Sequence, residues 1–207
     1  MRNNILLTSG NLLLLLVIVL FAGCTTHLKN FNMNVPQTVD GKKLPVVMAL
    51  IFDDNTCQFK VVEKRQGNKR IFHIGPTICD NVSNLLPLVF ENVVTVHNED
   101  EASTVKADAI VKIEIIDASV VTRTRMPLTI DSLIVLEMSI TNLNGRMVYT
   151  NTIKGLGQDA RTFGGATQRL QASMQRCLDD LMQKLYEDIR TSPIIRNISD
   201  YISCKTL

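Results

Sequence analysis

Cysteine is the most reactive side-chain type in this chain, and the first of its five cysteines, Cys24, has a distinctive setting. It closes the segment Phe21-Ala22-Gly23-Cys24, which follows an unbroken apolar run from Leu12 to Leu20. A basic start, an apolar stretch of about 7–15 residues and a small-residue cleavage site make a secretory signal. Arg2 supplies the positive charge. We therefore predict a signal peptide over residues 1–23, with cleavage just before Cys24.

Two other interpretations of this segment exist. A membrane-spanning helix needs about 20 apolar residues, and this run is shorter. An ordinary secretory cleavage site could also stand beside a cysteine without using it.

The ending resembles the lipobox of bacterial lipoprotein signal peptides, which reads apolar, small, small, cysteine. The resemblance implies diacylation of the Cys24 thiol, cleavage before it and acylation of the new amine. One acyl chain holds a protein only marginally, whereas two or more anchor it stably. In the sorting rule of this class, Asp after the cysteine retains a protein in the inner membrane. Thr25 stands there, which implies the outer membrane, with the protein facing the periplasm.

The other four cysteines are Cys57, Cys79, Cys177 and Cys204. An oxidising envelope compartment permits disulfides, although sequence alone does not choose among the pairings. The shortest loops favour Cys57–Cys79 and Cys177–Cys204. Some of these residues could equally be buried free thiols, because cysteine behaves as a small hydrophobe. The sequence lacks Cys-x-x-Cys, so neither a redox motif nor a zinc knuckle is indicated.

Further candidates for chemistry are weak. His27, His73 and His97 lack metal-ligand spacing, and Asp53-Asp54 is typical of a turn after a strand. The glycines at 155, 157, 164 and 165 lack the lysine of a phosphate-binding loop, and Asp179-Asp180 is typical of a solvated helix face. We predict no catalytic residue, no metal and no cofactor. Near-equal numbers of basic (22) and acidic (20) residues make nucleic acid an unlikely partner.

Hydrophobic periodicity predicts strands at 44–53, 58–65, 69–74, 93–97, 108–122, 128–142 and 146–154. Asn144-Gly145 indicates a hairpin. A first helix is predicted over 77–90, shortened or kinked by Pro87. Residues 98–103 and 155–165 are predicted loops. The apolar stripe of residues 166–190 predicts a long amphipathic helix, with members at Leu170, Met174, Cys177, Leu178, Leu181, Met182, Leu185 and Ile189.

These elements predict an α+β two-layer sandwich, in which a mostly antiparallel sheet is packed by a short helix and the long C-terminal helix. The domain would cover residues 44–190. Residues 24–43 are polar and without period, which predicts a flexible tether. Residues 191–207 would form a tail.

The order of elements resembles that of lipopolysaccharide-assembly lipoproteins and related small envelope lipoproteins. The start Cys24-Thr25-Thr26-His27-Leu28-Lys29 is similar to the Cys-Gly-x-His-Leu-Arg start of the first family. The hairpin predicted over 58–74 departs from that family's pattern. The resemblance implies a non-catalytic, lipid-anchored accessory or scaffold subunit of an envelope transport, assembly or secretion complex, with a protein partner. A lipid- or glycan-binding carrier is the alternative, and an envelope hydrolase is a third, disfavoured hypothesis.

Overall fold

The computed structural model describes residues 25–29, 31, 42–65, 68–123, 128–160 and 165–203. Eight strands, β1 to β8, span Thr25–Leu28, Leu44–Phe52, Lys60–Arg65, Asn68–His73, Phe90–Thr95, Ala109–Arg123, Thr129–Asn142 and Met147–Asp159. Five helices, α1 to α5, span Gly75–Val89, Glu99–Thr104, Ala166–Thr191, Pro193–Arg196 and Ile198–Ser203. A 3-10 turn covers Thr56–Gln58. The α+β class is therefore confirmed.

The strands form two mixed sheets rather than one mostly antiparallel sheet. The large sheet has the order β5-β2-β6-β7-β8, with β2 parallel to both β5 and β6, and β6, β7 and β8 antiparallel. The small sheet has the order β1-β4-β3, with β1 parallel to β4. Parallel neighbours need crossover connections, and α1 and α2 supply these within the large sheet. The alternation of polar and apolar residues along a strand does not indicate which strands lie beside it. The sequence analysis therefore predicted the wrong kind of sheet.

Strand β2 is covered on both faces, as its continuous apolar run predicts. Met48 and Leu50 belong to the main core, together with α1 and α3. Ala49 and Ile51 lie on the opposite face, in a small cluster with Ala102 of α2. The segment 98–103, predicted as a loop, contains α2 because Asn98 Oδ1 accepts a hydrogen bond from the Glu101 amide at 2.9 Å and caps that helix.

The long helix α3 ends at Thr191, one residue later than predicted. Every member of the predicted stripe is at most 1% exposed, and the helix packs on β7 and β8. The predicted C-terminal tail forms α4 and α5 as far as Ser203, with Ile195 and Ile198 buried in the main core. Among the described residues, none of the helices is long and apolar enough to cross a membrane.

The predicted glycine-rich loop was wrong at its start, because β8 continues to Asp159. A Cβ on Gly155 would lie 2.5 Å from Cys177 O, and one on Gly157 would lie 2.0 Å from Ser173 O. Glycine is therefore required in a strand that α3 approaches closely. Gly164 lies outside the described residues, and Gly165 occupies the N-cap position of α3.

The predicted tether was also wrong at its start. Thr25–Leu28 forms β1, which pairs with Lys69 to Phe72 of β4. Leu28 and Phe31 are buried in the main core, at 8% and 5% exposure. These two apolar residues stand among polar ones and show no period, so the sequence did not predict that they are buried in the core. Residues 32–41 of the predicted tether lie outside the described residues.

Three side chains of α3, spaced four residues apart, close the outer edge of β8. Asp180 Oδ2 accepts a hydrogen bond from the Leu156 amide at 2.8 Å, and Lys184 Nζ donates to Lys154 O at 3.0 Å. Arg176 donates to the Gln158 carbonyl. Asp180, predicted on a solvated face, is partly exposed and also makes contacts with β8 that the sequence did not predict. Exposed sheet edges are templates for pairing with other chains, and this one is capped by side chains.

We expect Gly157→Ala to destabilise the domain by about 1–3 kcal/mol, since the new methyl group cannot fit against the backbone of α3. The midpoint of chemical denaturation measures the loss. Gly165→Ala is the matched control, because the nearest side-chain atom to its added Cβ lies 4.0 Å away. Equal stability of the two variants would contradict the close-packing argument.

We expect the double variant Arg176→Ala/Asp180→Ala to self-associate with rising concentration, because it uncovers hydrogen-bonding groups on a long edge strand. Sedimentation velocity measures this. The control is Gln183→Ala/Glu187→Ala, which removes an exposed hydrogen-bonded pair with the same spacing on the same helix. An unchanged monomer–oligomer distribution in the first variant would show that the caps do not protect the edge.

Candidate functional site

The predicted cysteine sites have different environments. A disulfide joins Cys57, in the 3-10 turn, to Cys79 of α1. Cys177 is a free, buried thiol, so the predicted Cys177–Cys204 bridge is not formed; Cys177 Sγ instead donates to Gly155 O at 3.2 Å. Burial raises the pKa of the Cys177 thiol to about 12, which makes it a poor nucleophile. Cys24 and Cys204 lie outside the described residues.

Two of the three histidines lie together. His27 Nδ1 is 3.0 Å from His73 Nε2, where β1 runs beside β4. His97 is exposed elsewhere, at the end of β5. Across the described ranges, no group of three or more His, Cys, Asp or Glu side chains could hold a metal ion. The histidine pair joins residues 46 positions apart, so the sequence alone could not reveal it.

Asp53 has a structural environment that agrees with a turn. Its Oδ2 accepts a hydrogen bond from the Asn55 amide at 3.3 Å, and its Oδ1 lies 3.9 Å from Lys112 Nζ. Asp54 is exposed in the same turn. The contacts of Asp53 are those of an acidic turn that follows a strand.

The large sheet has helices α1 and α3 on one face, while the opposite face of β6, β7 and β8 carries exposed apolar side chains. Ile116, Val121 and Leu156 are 51%, 52% and 59% exposed. Leu133 lies directly between Ser119 of β6 and Leu156 of β8 in the register, and Val135 is on the same face. We call this surface the sheet patch and define it as Ile116, Val121, Leu133, Val135 and Leu156.

Strand geometry produces the sheet patch. Side chains alternate across a strand, so the odd-numbered residues of β7 face away from α3 while Ile134 and Leu136 face the core. The register of β6 shifts between Ile115 and Asp117, and the extra residue, Ile116, is exposed there. Contiguous apolar patches on a soluble domain mark interaction sites. The sequence analysis missed this one because it placed Leu156 in a loop.

Charged groups border the sheet patch at one end. Arg123 Nε lies 2.5 Å from Asp131 Oδ2, and Gln158 Nε2 donates to Asp131 Oδ1 at 2.8 Å. These residues share rows of the sheet with Val121 and Thr129. The apolar centre is therefore flanked at this end by polar groups, as the cores of protein interfaces are.

An acidic groove of about 440 Å³ occupies the other end of the same face. Glu114 lies directly opposite Glu137 on the neighbouring strand, and Glu99 of α2 lines the groove wall. Like charges opposite one another destabilise a sheet. The groove wall also includes Ile51, Ile110 and Met147, so it combines negative charge with apolar surface. This face can receive a basic, partly apolar binding partner.

Comparison of this chain with known proteins gives information about its fold. No family model matches the chain, and no curated protein matches it. Protein XCC0632 from Xanthomonas campestris, of family DUF330, superposes with a TM-score of 0.57 at 9% identity, over 86% of this chain and 99% of that chain. This likeness shows the shared fold alone.

Two further solved structures are less similar. A minor lipoprotein from Acinetobacter baumannii has a TM-score of 0.44 at 9% identity, over 72% of this chain and 92% of that one. Lipoprotein GNA1162 from Neisseria meningitidis has a TM-score of 0.38 at 9% identity, over 70% and 99%. These weaker superpositions add nothing to the fold assignment.

The histidine pair predicts a pH dependence of stability. Partial burial first, and then the charges of Lys29, Lys60 and His27, hold the pKa of His73 below its ordinary 6.5. Between the folded pKa and 6.5 the unfolded chain binds more protons, so stability falls as the pH falls through that window and is fully present above it. Melting temperatures across a pH series measure the effect.

His73→Gln should flatten this slope, while His97→Gln, at an exposed histidine, should leave it unchanged. An identical slope in wild type and His73→Gln would contradict the assignment of this pH dependence to His73.

Proposed function

We propose that this protein is a non-catalytic, lipid-anchored lipoprotein of the outer membrane, facing the periplasm, and that it serves as an accessory or scaffold subunit of an envelope complex. The observation that carries the proposal is the face of β6, β7 and β8 opposite α3, with the sheet patch at one end and the acidic groove at the other. The lipobox-like segment ending at Cys24 supports the anchor and the compartment.

The proposed partner is a protein that brings an apolar strip to the sheet patch and basic side chains to the acidic groove. Desolvated apolar residues at the centre of such a surface supply most of the binding energy, while charges around it set orientation and specificity. Glu99, Glu114 and Glu137 would meet the partner's basic groups. Lys112, the lysine on the groove wall, lies near Asp53 and therefore does not take the place of those groups.

The ligand-carrier alternative receives less support from the packing. The α3 residues facing the sheet, such as Leu178 and Leu181, are fully buried against the strands. A lipid or glycan would have to displace these side chains to enter between helix and sheet. The acidic groove on the opposite face has both charge and apolar surface, which suits a protein segment as well as a small ligand.

We expect a photo-crosslinker at position 156 to give one discrete protein adduct in intact cells, and the same probe at position 105 to give none. Val105 is a matched control because it is also apolar and exposed, at 36%, but lies at the end of α2. Leu133→Arg should abolish the adduct at 156, since it places a charge at the apolar centre, between Ser119 and Leu156.

The remaining outcomes separate the alternatives. Adducts only between copies of this chain, or none at all, would overturn the partner role. A copurified small molecule in native mass spectrometry, with no protein adduct, would support the carrier instead. Cys24→Ala should lose the acyl mass and leave the outer-membrane fraction after a high-salt wash, which screens surface charges, so retention there after the wash would contradict the proposed anchor.

A further inference from the structure

The small sheet has one face on which the charged side chains of the described residues are all basic. Side chains alternate along a strand, so Lys60, Val62 and Lys64 project from β3 on the side opposite to the buried Val61 and Glu63. The register places Lys69 beside Lys64, and His73 beside Lys60. We call this surface the basic face and define it as His27, Lys29, Lys60, Lys64, Lys69 and His73.

The acidic charge of these strands points the other way. Glu63 is 7% exposed on the core side, where its Oε2 accepts a hydrogen bond from Arg70 Nη1 at 2.8 Å. The centre of the basic face is apolar, since Val62 is 45% exposed and Ile71 lies between Val62 and His27 in the register. Within the described part of these three strands, the basic face carries no acidic residue.

A neighbouring groove extends this surface. It has a volume of about 490 Å³ and is lined by Lys29, Phe31, His73, Thr77 and Asp80, among others. Asp80, on α1, contributes the negative charge there. The groove therefore adds to the surface at its Lys29 end without removing the basic character of the three strands.

The basic face lies close to Cys24 along the chain. β1 is an edge strand of the small sheet and begins at Thr25, the residue that follows Cys24. Consecutive Cα atoms are about 3.8 Å apart, so an acyl group on Cys24 would emerge at the margin of the basic face. This step rests on the anchoring at Cys24 proposed above.

We propose that the basic face lies on the membrane and binds the phosphate groups of anionic phospholipids. Lysine ammonium groups pair with phosphates as mobile point charges, and a central apolar side chain such as Val62 can enter the interfacial layer. Membrane-facing lysines each contribute about 1 kcal/mol of attraction to an anionic surface, which is roughly 5-fold in binding per lysine. The acyl anchor and the basic face together fix the domain against the bilayer.

The test uses the mature chain secreted behind a non-lipoprotein signal, with Cys24→Ser, so that the anchor does not mask the electrostatic binding. The probes are vesicles of phosphatidylcholine with and without phosphatidylglycerol. We expect flotation with the anionic vesicles only, lost at high salt because surface charges are then screened.

The variant Lys60→Gln/Lys64→Gln/Lys69→Gln should bind the anionic vesicles about 100-fold more weakly at low salt, from roughly 5-fold per lysine. The matched control is Lys106→Gln/Lys112→Gln/Lys154→Gln, which makes the same change of net charge at exposed positions elsewhere. Equal binding of the two variants would overturn the basic face as the lipid site. Circular dichroism confirms that both are folded.

Failure of this proposal and failure of the anchor give different results. No binding of the unvaried mature chain to anionic vesicles would overturn the basic face as a lipid site, whatever the state of Cys24. The mass of the N-terminal peptide of the native protein shows acylation independently of any vesicle. An unacylated native protein that still binds anionic vesicles through the three lysines would contradict the proposed anchor and support the basic face as a lipid site.

Discussion

The contact between α3 and β8 is the constraint on which the rest of the domain depends. Gly155 and Gly157 let the helix backbone approach the strand so closely that polar side chains of α3 reach the strand's carbonyl groups. Ser173 Oγ is 3.0 Å from Gly157 O and 2.8 Å from Ser132 Oγ, deep in the interior. Buried polar groups must be hydrogen-bonded, and this arrangement satisfies them while the apolar stripe fills the core.

The same contact decides which surfaces remain available for binding. One row of α3 side chains, including Asp180 and Lys184, occupies hydrogen-bonding groups along the edge of β8. Further along, Asp188 accepts hydrogen bonds from Tyr149 Oη at 2.6 Å and Asn151 Nδ2 at 2.8 Å. With one face and one edge of the meander used by α3, the surface offered to the proposed partner is the opposite face, where the sheet patch and the acidic groove lie.

Elements defined by local chemistry were predictable from the sequence. Asn144-Gly145 predicts the turn between β7 and β8, where Gly145 takes a φ of +76° that suits glycine. The stripe from Leu170 to Ile189 predicts α3, because its apolar residues recur with the helical period of 3.6. The apolar run of β2 predicts burial on both faces. Each of these features depends on residues close together in the chain.

Features that depend on distant residues were not predictable. The parallel pairing of β2 with β6 joins Met48 to Ala109, and nothing near either residue encodes that register. Gly157 is typical of a loop in the sequence, and only the close approach of Ser173 in the fold explains why glycine stands there. The sheet patch needs the registers of three strands before Val121 and Leu156 become neighbours on one face. The candidate surfaces depend on the topology, whereas the predicted signal segment ending at Cys24 depends only on neighbouring residues.

The position of β1 changes what an anchor at Cys24 would do. A flexible spacer of about 20 residues would let a domain sample many orientations, at a mean distance that grows with the square root of spacer length. Here Thr25 already belongs to the folded domain, because β1 pairs with β4 and buries Leu28. An acyl group one residue away would leave little freedom of orientation. Restricting that freedom lowers the entropy lost when a partner binds, so a domain anchored through β1 would present its sheet patch already oriented for a partner in the same membrane.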